Sequence, residues 1–176
     1  PWVGKETVIA VTEPLSPELA ADRLLLLAVR DSAKAVNCLR AFGKEHGTVP
    51  LASGQYQMFE LMGFQRSSLL QPILADDEAF RNPVCCLAGG YAIFAPDRSS
   101  LEIVLDKYLV NQTLAAHTDF LQMQEKAGAG GGSASFLLNT AYLPALLQNL
   151  LGVQGEAPFS RLGFVGLEWK PGFGRK

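Results

Sequence analysis

Residues 89–109 read GGYAIFAPDRSSLEIVLDKYL, and the fold turns on how they are understood. A glycine pair leads into the apolar run Tyr91–Ala95. Pro96 and Asp97 end that run, and Leu101, Val104, Leu105 and Tyr108 then recur at helical spacing. A strand, a tight turn and a helix start in that order often hold a phosphate. The dinucleotide form of such a site needs G-x-G-x-x-G between strand and helix. Here the glycines come before the strand, APDRSS contains none, and Asp97 would repel a phosphate at the helix N-terminus. The stretch therefore reads as the second strand of a hairpin that turns at Gly89-Gly90, followed by a helix that Asp97 caps. The first strand of that hairpin lies in NPVCCLA, residues 82–88.

The same unit occurs upstream. Arg23–Arg30, RLLLLAVR, is a nearly unbroken apolar strand, the pattern of burial on both faces. Asp31 follows as an N-cap, and Ala35, Leu39, Phe42 and His46 share one helix face. Gly47 is placed to end that helix. Asp31 precedes Leu39 by eight residues, as Asp97 precedes Leu105. Glu6–Thr12 supplies the preceding strand. SFLLNTAYLPALL, residues 135–147, is a looser third copy, a strand running into a leucine-rich helix. Two hairpins, each followed by a helix, predict an α+β fold. Its sheet is mainly antiparallel, built from ββα-type units with helices packed on one face, in a single domain over residues 1–176.

The remaining segments fill in around these units. Residues 13–22, with two prolines, read as a loop, and TVPLAS (48–53) as a short edge strand. GQYQMFELMGF (54–64) alternates as one strand with two dissimilar faces. Residues 67–80 form a short helix or irregular segment broken at Pro72, and Thr118 or Asp119 caps a short helix. GAGGGS (128–133) is a flexible connector, and RLGFVGLEW (161–169) is the last strand.

Composition restricts the partners. The chain has 176 residues, 48% apolar and only 18% charged, enough apolar mass to fill a core. Lys plus Arg number 15 against 17 Asp plus Glu, and the cations are spread singly, which argues against a nucleic-acid partner. The longest unbroken apolar run, Leu24–Val29, is far below the ~20 residues a bilayer span needs. The chain opens PWVGKE without methionine and ends EWKPGFGRK as a strand entering a loop. It is expected to be a processed protein, or an excised part of a longer one, from which any targeting segment has been removed.

Candidate chemistry is sparse. Cys85 and Cys86 are neighbours on a strand and point to opposite faces, so they are poorly placed to bridge each other. Cys38 could bridge either one in an oxidising compartment, and the plainer reading is three small buried apolar side chains. His46 suits a helix C-terminus and His117 a polar turn. Two distant histidines do not supply the three or four ligands of a zinc site. Ser67-Ser68 and Ser99-Ser100 read as turn and first-turn residues, with no G-x-S-x-G elbow. Asp76-Asp77-Glu78 lacks EF-hand spacing and reads as a solvated turn. Arg66, Arg81, Trp2 and Trp169 could line a binding face, although Trp169 alternates with Leu167 and Val165 as a core residue would. No catalytic, cofactor-binding or metal-ligating residue is assigned, and no cofactor is implied.

YAIFAPDRSSLEIVLDKYLVNQTLAAHTDFLQM, followed by ASFLLN and a leucine-rich helix, resembles a family of large bacterial proteins that carry a domain of unknown function. The features that carry the resemblance are Phe94-Ala95, Asp97, the helix through Tyr108, Thr113-Leu114 and Phe120. AVRDSAKAVNCLRAFGKEHG and GQYQMFELMG are similar to the first half of that family. The resemblance implies export to the periplasm or cell envelope and a longer parent chain, and it brings no catalytic residue with it. Three functional readings follow, in order. The first is a non-enzymatic envelope module that binds a protein partner or the rest of its parent chain. The second is a small apolar-ligand or lipid-binding domain, and the third a hydrolase with a scattered triad.

Overall fold

The computed structural model describes residues 2–12, 22–48, 51, 54–65, 70, 73, 80–113, 116–127, 134–139 and 164–169. The chain divides into two compact units, Pro1–Asp106 and Lys107–Lys176.

The first unit is built on the two expected hairpins. Strands β1 (Val3–Thr12) and β2 (Asp22–Val29) pair antiparallel, with Thr7 opposite Leu27 and Thr12 opposite Asp22. Helix α1 (Ser32–His46) follows. Its N-cap is Asp31, whose carboxylate accepts from the Lys34 amide at 3.0 Å, and Gly47 closes it at φ 95° with its N–H on the Gly43 carbonyl. Strands β6 (Val84–Ala88) and β7 (Tyr91–Ala95) form the second hairpin. Gly89 and Gly90 turn at φ 57° and 83°, the left-handed pair that matches strand twist in a two-residue turn. Helix α2 (Arg98–Leu109) follows, and Asp97 caps it by accepting from the Ser100 amide and the Ser99 hydroxyl, each at 2.8 Å.

Residues 54–64 differ from the single strand their alternation predicts. They break into β3 (Gln55–Tyr56), β4 (Phe59–Glu60) and β5 (Met62–Gly63). Gln57 takes a positive φ of 51°, so β3 and β4 fold back on each other as a small hairpin, and the Leu61 amide returns to the Gly54 carbonyl. Thr48, from the expected edge strand, makes an isolated bridge with Phe64.

The central pair β2–β7 joins the two hairpins, with Leu25 opposite Phe94, and the sheet runs β1-β2-β7-β6-β5, antiparallel throughout. The α+β class and its antiparallel pairing therefore stand as read. Helix placement differs from the one-face expectation. Leu24, Val84, Cys86, Ile93 and Ala95 pack with Leu101 and Leu105 of α2. Their neighbours Leu25, Leu27, Cys85, Ala92 and Phe94 pack with Leu39 and Phe42 of α1. The reason is the strand composition. β2, β6 and β7 are apolar at consecutive positions, so both sheet faces need cover, and one helix goes to each.

The second unit contains α3 (Thr118–Ala127), which lies beside β9 (Phe164–Trp169). Strand β9 pairs antiparallel with β8 (Ala134–Asn139), Ala134 opposite Trp169 and Asn139 opposite Phe164. Residue 117 occupies the cap position of α3, where the His117 carbonyl accepts from Leu121, one place earlier than expected. The readings made for residues 13–21, 49–50, 52–53, 66–69, 71–72, 74–79, 114, 128–133, 140–152 and 161–163 lie outside the described residues. Among the described residues, no helix is long and apolar enough to cross a membrane.

Candidate functional site

The free rim of the sheet is β1. Among the described residues it has a strand partner on one side only, so along the other side alternate residues direct amides and carbonyls away from the sheet. Its register with β2 sorts its side chains. Val8 and Ala10 lie opposite Leu26 and Leu24 on the α2 face and are half-buried. Thr7, Ile9 and Val11 lie opposite Leu27, Leu25 and Arg23 on the α1 face. Helix α1 covers Leu25 completely, at 0% exposure, but leaves Ile9 53% and Val11 55% exposed. Two β-branched apolar side chains thus stand exposed beside a backbone edge that, among the described residues, has no strand partner.

The other end of β1 is fixed. Trp2 and Val3 pack against the α1-side core, and the register shifts between Val3 and Thr7. Gly4 is required here, because a Cβ would come within 2.9 Å of the Ala28 Cβ and 3.1 Å of its carbonyl oxygen. Glu6 accepts from the Tyr91 hydroxyl at 2.9 Å, and that bond raises the Tyr91 pKa. Lys5 and Glu6 are the only charges in the strand, both before the Thr7–Thr12 segment.

A second feature is an open groove of about 310 Å³ lined by Leu39, Leu61, Met62 and Phe64, with Arg40 and Lys44 among its polar residues. Arg40 is engaged by Glu60 in a two-pronged pair at 2.7 and 2.9 Å. On the α2 side, the Tyr56 hydroxyl donates to the Asp106 carboxylate at 2.8 Å, which raises the Tyr56 pKa. The β3–β4 hairpin is thereby pinned to both helices, with Met58 at its turn 75% exposed.

The polar residues weighed in the sequence occupy structural positions where they are described. Ser99 and Ser100 serve the α2 cap. The His46 ring lies 4.3 Å from that of Phe42 and its Nε2 is 3.9 Å from the Glu45 carboxylate. All three cysteines are free thiols. Burial pushes the Cys86 pKa up to about 12, and burial, then the neighbouring Cys86, pushes Cys85 well above its ordinary value. Cys38 is exposed on α1, so the reading of three buried thiols holds for two. Among the described residues, no three His, Cys, Asp or Glu side chains gather to hold a metal ion. Trp2 is half-buried, with part of its ring packed against the α1-side core. Ile9 and Val11 were not singled out in the sequence, and their only signal there is that Thr and charged residues dilute β1 while β2 is all leucine at its centre.

A family model described as Protein of unknown function (DUF3352) matches residues 1–161. The chain belongs to this family. No curated protein and no solved structure matches it. The resemblance noted in the sequence to a family of unknown function is thus established. In this DUF3352 chain the match takes in the whole five-stranded sheet with α1 and α2, continues through β8, and ends before β9.

Proposed function

We propose that this DUF3352 chain is a non-enzymatic interaction module of the cell envelope, part of a longer exported protein, which docks an extended protein segment along β1. The observation that supports this reading is the coincidence of a β1 edge without a strand partner among the described residues and exposed Ile9 and Val11 on one face. Main-chain hydrogen bonds along an edge give affinity, and alternate side chains give selectivity. The envelope location rests on the resemblance described above. Net charge −2 with dispersed cations favours a protein over a nucleic-acid partner.

Photocross-linking in the producing cell tests the reading. A photoreactive residue at position 9 or 11 is expected to form a defined protein adduct, while one at exposed Lys34 on α1 forms none. Absence of any adduct from β1 refutes docking at this edge, and recovery of the protein only from the cytosolic fraction refutes the envelope location.

The groove lined by Leu39 and Leu61 supports a second reading, binding of a small apolar ligand or lipid, since its volume is at the lower limit for such sites. A fluorescent acyl probe that brightens with the chain and is displaced by Leu61→Trp would favour this alternative.

A further inference from the structure

We propose that the groove beside β5 takes a free fatty acid, its carboxylate against Lys44 and its chain along Leu61 and Met62. This inference rests on the second reading above, an apolar ligand in that groove, and adds the ligand's head group. Helix α1 supplies Leu39, Gly43 and Lys44 to one wall, and Leu61 to Phe64 line the other. Leu39, Leu61 and Phe64 are buried, which fixes that part of the lining. Met62 is only half-buried, and its unbranched thioether adapts to the shape of a chain. A volume of about 310 Å³ suits one short acyl chain rather than the two chains of a membrane phospholipid.

Charge selects the head group. Arg40 and Lys44 stand one helical turn apart on the groove, and among the described residues no Asp or Glu lines it. Arg40 is already neutralised, since its Nη2 reaches both Glu60 carboxylate oxygens, at 2.7 and 2.9 Å. Lys44 has no such partner among the described residues. One unmatched cation beside an apolar lining complements one anionic head on an apolar tail. The full charge of Lys44 outweighs the partial negative charge at the C-terminal end of α1. Because the groove is open, the carboxylate keeps part of its hydration while the tail leaves water.

Calorimetric titration of the 176-residue chain with decanoate and with decanol, which share a tail and differ in charge, tests the assignment. Decanoate is expected to half-saturate on the order of a hundred micromolar and decanol about fivefold higher, the contribution of an exposed ion pair. Lys44→Met, folded by circular dichroism, should bring decanoate to the level of decanol and leave decanol unchanged, while Lys44→Arg keeps the preference. Lys34→Met removes an exposed cation from the same helix and should change neither affinity. Glu60→Gln releases Arg40 as a second cation and should tighten decanoate about threefold, a gain that no loss of stability would produce. Added salt should shrink the preference. Equal binding of acid and alcohol, or a preference that survives Lys44→Met, overturns the fatty-acid assignment and keeps the apolar-ligand reading. No saturable binding of either compound discards both. Attachment to phosphatidylglycerol vesicles that Lys44→Met abolishes, in a chain that does not bind decanoate, would give the groove to a membrane surface and likewise overturn the inference.

Discussion

Leu39 and Leu105 are each buried, at 1% and 0% exposure, each eight residues beyond its capping aspartate, yet they belong to cores on opposite faces of one sheet. The sheet between them is the shared element, since β2, β6 and β7 give alternate side chains to each core. Leu39 and Leu105 themselves fall in separate clusters, so a methylene lost from one leaves the packing of the other largely unchanged.

Additivity tests this separation. Leu39→Val and Leu105→Val should each cost about 1 kcal/mol, the loss of one buried methylene. Their double variant should cost the sum, within about 0.5 kcal/mol. Denaturant midpoints measure it, and strong coupling between the two would mean the faces share more than backbone.

The thiols should divide by burial. In the native chain one thiol, Cys38, should react quickly with a disulfide reagent near pH 8, while Cys85 and Cys86 react only as the chain unfolds. Cys38→Ser should remove the fast phase entirely. Denaturant should release all three.

Acid stability carries a signature of the α1 cap. The Asp31 carboxyl is held below its ordinary pKa of 3.8, first by the hydrogen bond from the Lys34 amide. A depressed carboxylate adds stability that is fully present above its unfolded pKa and is lost as pH falls through the folded one. Asp31→Asn keeps an accepting oxygen for the cap but cannot titrate. Its stability should match that of the parent at neutral pH and fall less steeply below about pH 4, as measured by unfolding midpoints across pH.

The Gly89-Gly90 turn is a backbone requirement alone. A Cβ on Gly90 meets nothing within 4 Å, but φ there is 83°. Gly90→Ala should therefore cost about 1 kcal/mol through conformation, with no loss of packing. Thermal unfolding would show a modest drop in midpoint with unchanged cooperativity.

The Arg40–Glu60 pair should matter less than its geometry suggests. Both side chains are about half exposed, so solvent screens the pair. Glu60→Gln should change stability by less than about 1 kcal/mol and reduce its dependence on salt. Stability measured in low and high salt checks both effects.

Features with local causes were legible in the sequence. Asp31 and Asp97 mark caps through their carboxylates, and Gly47 and Gly89-Gly90 mark a helix end and a turn through the positive φ that a missing Cβ permits. The run in β2 also announced two buried faces, which already implied cover on both sides. What could not be read depends on order across the sheet. Nothing within Thr7–Thr12 says that, among the described residues, no strand lies beyond it, because that depends on where every other segment of the chain goes. Gln57 turns the chain without the glycine or asparagine that usually signals positive φ, so the alternation of residues 54–64 reads as one strand where the chain forms a hairpin. Cys38 lies next to the stripe of Ala35 and Leu39 but turns outward, a distinction finer than helical spacing resolves.

At the far margin of the sheet, β5 offers only Met62 and Gly63, and Phe64 beyond it is already bridged to Thr48. Fibre growth by sheet extension needs two usable margins on each molecule. Among the described residues this sheet offers one long margin and one of two residues, so a stack of copies joined edge to edge along it would lack the second contact that propagation needs.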